Sequence, residues 1–174
     1  MISLQDLNNL TPSSPFGSVL FIDFSFFQNF RELNTLNFSQ QNQFRFSGLI
    51  NTQGSFPLNS FANNSKLKVL ALPMNSNNFQ VDTEGNGFDG GVSTSFGNMS
   101  NLEILDLSRN HFSGEIPKSL WRGCSSLRYL VLSGNKLWGQ PFSSPLNLSS
   151  LHWLFLDNNY LNGTLEHGIH NFLD

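Results

Sequence analysis

One phrase recurs along this chain, and a phrase that returns at a fixed spacing restricts the fold more tightly than any local propensity. From Leu102 the sequence reads L-E-I-L-D-L-S-R-N-H-F-S-G-E-I-P, from Leu127 L-R-Y-L-V-L-S-G-N-K-L-W-G-Q, and from Leu151 L-H-W-L-F-L-D-N-N-Y-L-N-G-T-L. All three fit L-x-x-L-x-L-x-x-N-x-(L/F)-x-G, with starts 25 and 24 residues apart. A fourth copy begins at Leu67 with Asn75 in register, and a weaker fifth begins at Leu33 with its asparagine displaced. Those two start 34 and 35 residues before their successors, so each carries about ten residues beyond the 24-residue unit.

The second half of the unit is also regular. Met99 and Leu148 stand three residues before the next start, Phe96 and Pro145 six before, and Gly90 and Gly139 twelve before. Gly54 and Gly114 stand thirteen before, which implies one inserted residue in each of those units, within Ala62-Asn-Asn-Ser65 and Trp121-Arg-Gly-Cys124. Phe27 and Phe30 fall six and three residues before Leu33, implying part of a preceding unit.

Each slot has a physical task. Leucines at positions 1, 4 and 6 bracket a short strand whose inward side chains build a continuous core, while positions 3 and 5 face outward by period-two alternation. Asparagine at position 9 has two donors and an acceptor for the turn that follows, in its own coil and the adjacent ones. Glycine at position 13 permits backbone geometry that other residues resist. A unit of this size cannot bury its own apolar edge, so neighbouring coils stack. The expected fold is therefore an α/β-type solenoid, with short parallel strands over 67–72, 102–107, 127–132 and 151–156 on the concave face and an irregular or 3-10 return on the convex side. Residues 1–32 read as an irregular N-terminal segment with part of a degenerate repeat, and 33–174 as the repeat domain of about five units. The insert over 76–89 is polar, with Asn86-Gly87 a turn signal, and is expected to sit outside the coil.

Composition removes several functional classes. With a net charge of −3 and 12% charged residues, the chain has no basic footprint for nucleic acid. A single cysteine leaves no internal disulfide framework and no multi-thiolate metal site. No apolar run reaches the roughly 20 residues that span a bilayer. The N-terminus has no basic region followed by an apolar one, so no secretory signal is visible. His167-x-x-His170 has the spacing of a metal pair on one helical face, but no third ligand has suitable spacing and two surface residues are the better reading. Cys124 with His111 or His152 would be a nucleophile and base, yet Cys124 occupies a repeat slot suited to a small buried residue. No nucleophile-elbow, P-loop or dinucleotide motif occurs. The chain reads as no enzyme, without cofactor or metal.

The open-face columns are the candidate binding surface. Position 3 presents Val69, Ile104, Tyr129 and Trp153; position 5 presents Ala71, Asp106, Val131 and Phe155; positions 7 and 8 add Asp157, Arg109 and Asn158. Aromatic rings among a few polar groups suit partner recognition, and lateral packing between strands about 4.8 Å apart is the competing role, which Val131 and Ala71 are expected to fill. The expected ligand-contacting set is Ile104, Asp106, Arg109, Tyr129, Trp153, Phe155, Asp157 and Asn158, with His111, Lys136 and Tyr160 at the rim. Asn-x-Ser/Thr acceptors for glycosylation stand at Asn9, Asn37, Asn63, Asn98, Asn147 and Asn162. Two of these, Asn98 and Asn147, also arise from the repeat phrase itself.

The stretches Gly97-Asn-Met-Ser-Asn-Leu-Glu-Ile-Leu-Asp-Leu-Ser-Arg-Asn110, Gly123-Cys-Ser-Ser-Leu127 and Leu156-Asp-Asn-Asn159 resemble the plant-specific leucine-rich repeat, and more closely the ectodomain of plant receptor-like proteins. Ser65-Lys-Leu-Lys-Val-Leu70 and Phe79-Gln-Val-Asp-Thr-Glu84 resemble the same group. The resemblance covers residues 33–174. It implies a leucine-rich repeat solenoid that recognises a peptide or protein at the plant cell surface, in signalling or defence, with receptor kinases as partners and a plasma-membrane or extracellular location. Members carry a secretion signal, a cysteine-paired cap, further repeats and a membrane helix, none of which is visible here, so the chain reads as a shortened piece of such a protein. Two other readings stand beside this one: a secreted inhibitor of microbial cell-wall hydrolases, and a non-functional truncated gene product.

Overall fold

A computed structural model of the chain describes residues 32–37, 61, 64–72, 89–142 and 149–163. Strands β1 (Thr35–Asn37), β2 (Val69–Ala71), β4 (Ile104–Asp106), β6 (Tyr129–Val131) and β8 (Trp153–Phe155) form one parallel sheet in the order β1-β2-β4-β6-β8. Every pairing keeps the repeat register: Thr35 lies beside Val69, Val69 beside Ile104, Ile104 beside Tyr129, and Tyr129 beside Trp153. The strands are three residues long and occupy the middle of the expected six-residue spans. Backbone bonds carry the coil-to-coil ladder past each strand end, from Leu107 N–H to Val131 O at 2.9 Å and from Leu132 N–H to Phe155 O at 2.8 Å.

The bracketing leucines point inward as the alternation requires. Leu67, Leu70, Leu72, Leu102, Leu105, Leu107, Leu127, Leu130 and Leu132 are all buried in one contiguous core. Leu154, Leu156 and Leu161 in the last described coil are half-buried against it. The core is closed on the convex side by Phe61, Phe96, Phe112, Leu120 and Trp121.

A second parallel sheet, which the sequence reading did not include, follows the asparagines. It consists of β3 (Asp89–Gly91), β5 (His111–Gly114), β7 (Lys136–Gly139) and β9 (Tyr160–Leu161), in the order β3-β5-β7-β9. Asp89, expected within the polar insert, is instead the first residue of β3. Pairing here is staggered, so that Trp138 lies beside Tyr160 and Gly139 beside Leu161. Position 11 is the inward residue, as Phe112 and Leu137 show, and the neighbours on either side face out. Glycine at position 13 is left-handed in three successive coils: it ends β5 at Gly114 (φ 86°) and β7 at Gly139 (91°), and follows β9 at Gly163 (101°).

The return path differs between coils for a reason visible in the repeat length. Before Leu102 it is a 3-10 turn, Thr94–Asn98, capped by the Ser93 hydroxyl, which accepts from Ser95 N–H. Before Leu127, in the unit that is one residue longer, it is a single α-helical stretch, α1 (Lys118–Gly123). The extra residue is absorbed because an α turn takes about 3.6 residues where a 3-10 turn takes about three. Ser119 Oγ donates to Thr94 O at 2.8 Å and Cys124 Sγ to Phe96 O at 2.9 Å, tying α1 to the 3-10 turn of the preceding coil.

Candidate functional site

The concave sheet presents its odd-numbered positions outward. Along β6 and β8, Tyr129 (41% exposed), Trp153 (52%) and Phe155 (44%) form one aromatic surface. Tyr129 and Trp153 stack with ring centroids 6.4 Å apart and planes 10° from parallel, and Trp153 and Phe155 do the same at 6.3 Å and 4°. The first contact follows from strand register, which sets the two Cα positions side by side. The second joins residues two apart on one strand, which alternation puts on one face. Ile104 and Asp106 on β4 are half-buried beside this surface, and Val131 is half-buried between them. Ala71 on β2 is buried, which is the lateral packing role expected of it.

Positions 7 and 8 form a polar margin. Asp106 accepts from Ser108 N–H at 2.9 Å and from the Ser108 hydroxyl at 2.7 Å, which holds the turn after β4. Asp157 accepts from the Ser133 hydroxyl of the preceding coil and from the Asn158 amide at 2.6 Å. The Ser133 hydroxyl holds the Asp157 carboxyl below the usual carboxylate range, against an opposing desolvation effect, with the Asp157 backbone N–H and the Asn158 amide acting in the same direction as Ser133. Asp157 is thus an anion at neutral pH on an exposed edge. Position 8 is left-handed in three successive coils: Arg109 at φ 57°, Gly134 at 70° and Asn158 at 55°. This conformation turns the backbone N–H toward the next coil, so that Arg109 N–H donates to Ser133 O at 2.8 Å and Gly134 N–H to Asp157 O at 2.9 Å. Arg109 and Asn158 accept a conformation that costs a non-glycine residue roughly 1–2 kcal/mol.

The eight residues singled out by sequence therefore divide. Tyr129, Trp153 and Phe155 come together as rings, and Asp157 and Asn158 as a hydrogen-bonded pair, with Ser133 joining them. Ser133 stood in the position-7 column but outside the expected set; its hydroxyl at that position is the signal that points to it. Of the expected rim residues, His111, Lys136 and Tyr160 open the strands of the second sheet. Below position 2 of the strands, Lys68 Nζ donates to Glu103 at 2.8 Å. That bond and then the Lys68 charge lower the Glu103 carboxyl against an opposing desolvation effect, with a lesser contribution from Arg128.

Cys124 is buried, and burial pushes its thiol up to about 12, so it stays protonated and packs. Among the described residues no group of three or more His, Cys, Asp or Glu is placed to hold a metal ion. His167 and His170 lie outside the described residues, as do Asn9, Asn63 and Asn147. Asn98 and Asn162 are exposed. No helix among the described residues is long and apolar enough to cross a membrane.

Known proteins share this architecture and sequence. The family model described as leucine rich repeat matches residues 84–137. Receptor-like protein 16 of Arabidopsis thaliana is 40% identical over 84 residues, covering 48% of this chain and 28% of that protein. Receptor-like protein 9a of the same plant is 40% identical over 171 residues, covering 76% of this chain and 18% of that protein. The matched residues form a leucine-rich repeat array similar to those of these plant proteins. Among solved structures, the Arabidopsis receptor kinase HAESA, in complex with the peptide hormone IDA and the co-receptor SERK1, superposes with a TM-score of 0.66 at 25% identity, covering 85% of this chain and 21% of that one. This leucine-rich repeat chain thus spans between 18% and 28% of the length of these relatives.

Proposed function

We propose that this leucine-rich repeat chain is a recognition module that binds a peptide or protein ligand on its concave face, as part of a plant cell-surface receptor-like protein acting in signalling or defence. The observation that carries this reading is the exposed, stacked surface of Tyr129, Trp153 and Phe155 beside the Asp157–Asn158 pair. Rigid aromatic rings contribute large contact area at small entropic loss, and they dominate the energy of many interfaces. Ile104, Asp106 and Arg109 extend the contact toward the N-terminal coils. Support comes also from similarity to HAESA, whose structure holds a peptide hormone and a co-receptor. A partner receptor kinase at the plasma membrane, facing the extracellular side, completes the proposal.

The test is selection of a displayed random-peptide library on the purified chain. Enriched peptides are expected to lose binding to Trp153→Ala and Phe155→Ala, each by about tenfold or more if the ring contributes the ~2 kcal/mol of an interface anchor. Trp138→Ala, on the other sheet, is expected to bind them unchanged. Peptides that bind Trp153→Ala and Phe155→Ala as tightly as the parent chain would remove the concave face as the site.

A further inference from the structure

The second sheet carries a cleft that the concave-face reading leaves unused. Glu115, Lys118, Trp138, Gln140, Tyr160 and Asn162 line it. Trp138 on β7 and Tyr160 on β9 are register partners, and their rings are 52% and 71% exposed. Packing does not account for this exposure, because Leu137 and Leu161 carry the core contact of those strands. Asn162 stands two residues after Tyr160, on the same outer face by strand alternation. Its backbone N–H donates to Gly139 O at 2.9 Å, which holds it against the end of β7. Asn162-Gly163-Thr164 is an acceptor sequence for glycosylation. Gly163, at φ 101°, turns the chain directly after the acceptor. Asn98, also exposed among the described residues, lacks this setting: the aromatic residue two before it, Phe96, is buried in the core.

We propose that Asn162 is a glycosylated position and that the first N-acetylhexosamine of its glycan lies on the Tyr160 and Trp138 rings, filling this cleft. The carboxamide nitrogen of Asn162 accepts the oligosaccharide from a lipid-diphosphate donor. The anomeric C–N bond forms and the anomeric C–O bond breaks; the lipid diphosphate leaves with the bonding pair, and the amide gives up one proton. The sugar ring has an apolar C–H face that covers aromatic surface otherwise open to water, while its hydroxyls meet Glu115, Lys118 and Gln140. The inference rests on the extracellular placement proposed above and is independent of the concave-face ligand.

The experiment supplies the route, so the result does not depend on how the natural protein is delivered. The full chain, fused to a cleavable signal peptide, is translated with endoplasmic-reticulum microsomes. Asn162→Gln is expected to lose one glycan-sized step on a denaturing gel relative to the parent; an unchanged ladder would overturn the modification. Acceptor use in microsomes does not require the variant to fold. The seating of the sugar is read on the secreted glycoprotein carrying Trp153→Phe. Trp121 is buried there, so Trp138 is the exposed one of the two tryptophans that remain once Trp153 is replaced. Enzymatic removal of the glycan is expected to raise acrylamide quenching of its fluorescence, and Asn162→Gln is expected to show that higher quenching from the outset. Quenching that does not change with removal would overturn the seating. Failure of either arm leaves peptide binding at the concave face to its own test.

Discussion

At the scale of single residues, Asn135 and Asn159, at position 9 of their repeats, join the two sheets and the neighbouring coils at once. Asn135 donates its amide to Leu107 O of the preceding coil and to Leu132 O of its own, both at 2.9 Å, and its carbonyl accepts from Phe112 N–H at 3.0 Å. Asn159 repeats the pattern with Leu132 O, Leu156 O and Leu137 N–H. Asn135→Ala leaves buried backbone groups unpaired and is expected to destabilise the chain by about 1–3 kcal/mol in a denaturant titration. Asn135→Asp keeps the shape but turns a carboxylate toward two carbonyl oxygens. Its folded pKa is therefore raised above the unfolded value near 4. The variant should be closest to the parent below about pH 4 and lose stability as pH rises toward 7; a penalty independent of pH would contradict the bonding pattern. Burial makes a second residue-scale contrast. Leu130 is covered by coils on both sides and Leu161 only in part, so Leu130→Ala is expected to cost about 2–5 kcal/mol and Leu161→Ala clearly less. Equal losses would mean that the stacking is not what stabilises the coil.

At the scale of elements, α1 packs backbone to backbone on the 3-10 turn of the preceding coil. A Cβ on Gly123 would meet Gly97 O at 1.8 Å and Gly97 C at 2.5 Å, and a Cβ on Gly97 would meet Ser119 Cβ at 2.7 Å. Neither obstacle is the tip of a flexible side chain, so relief requires the two elements to part. Parting them would strain the Ser119–Thr94 and Cys124–Phe96 bonds as well. Gly123→Ala is therefore expected to lower stability by about 1–3 kcal/mol, the usual range for forced overpacking, although alanine is the better helix former. Gly114 is a useful contrast. A Cβ there meets nothing within 4 Å, so Gly114→Ala suffers only from its φ of 86°, and Gly114→Asn should recover part of that loss because asparagine tolerates this region. A Gly123→Ala variant as stable as the parent would show that the two coils do not pack this closely.

At the scale of the whole molecule, the chain is a stack in which each coil is stabilised through its neighbours. The described coils at 102–126 and 127–150 have partners on both sides in the concave sheet, through β2, β4, β6 and β8. Amide hydrogens of Leu105 and Leu130 are expected to exchange most slowly, and those of β8 and β9 faster, in a native-state hydrogen-exchange experiment. Uniform protection across the stack would mean that it opens as a single unit and that nearest-neighbour coupling is stronger than the half-buried Leu154, Leu156 and Leu161 imply.

The strand positions, the inward leucines, the asparagine turns and the left-handed glycines at position 13 were legible in the sequence, because each is a local demand repeated at a fixed spacing. The aromatic column of Tyr129, Trp153 and Phe155 was legible for the same reason: register and alternation alone put those residues on one face. The second sheet was harder to see: its strands are as short as the concave ones, but three repeated leucines bracket each concave strand, whereas β5 and β7 keep a single inward apolar slot, at Phe112 and Leu137. Three features arise only when coils stack. The left-handed position 8 sends its N–H to the next coil at both Arg109 and Gly134, although the two side chains have nothing in common. Gly97 and Gly123 become irreplaceable to each other although they lie in different repeats. Trp138, Tyr160 and Asn162 meet around one cleft because the second sheet is staggered between coils. Sequence determines what each coil must do by itself, and contacts between coils, which no single repeat contains, decide the rest.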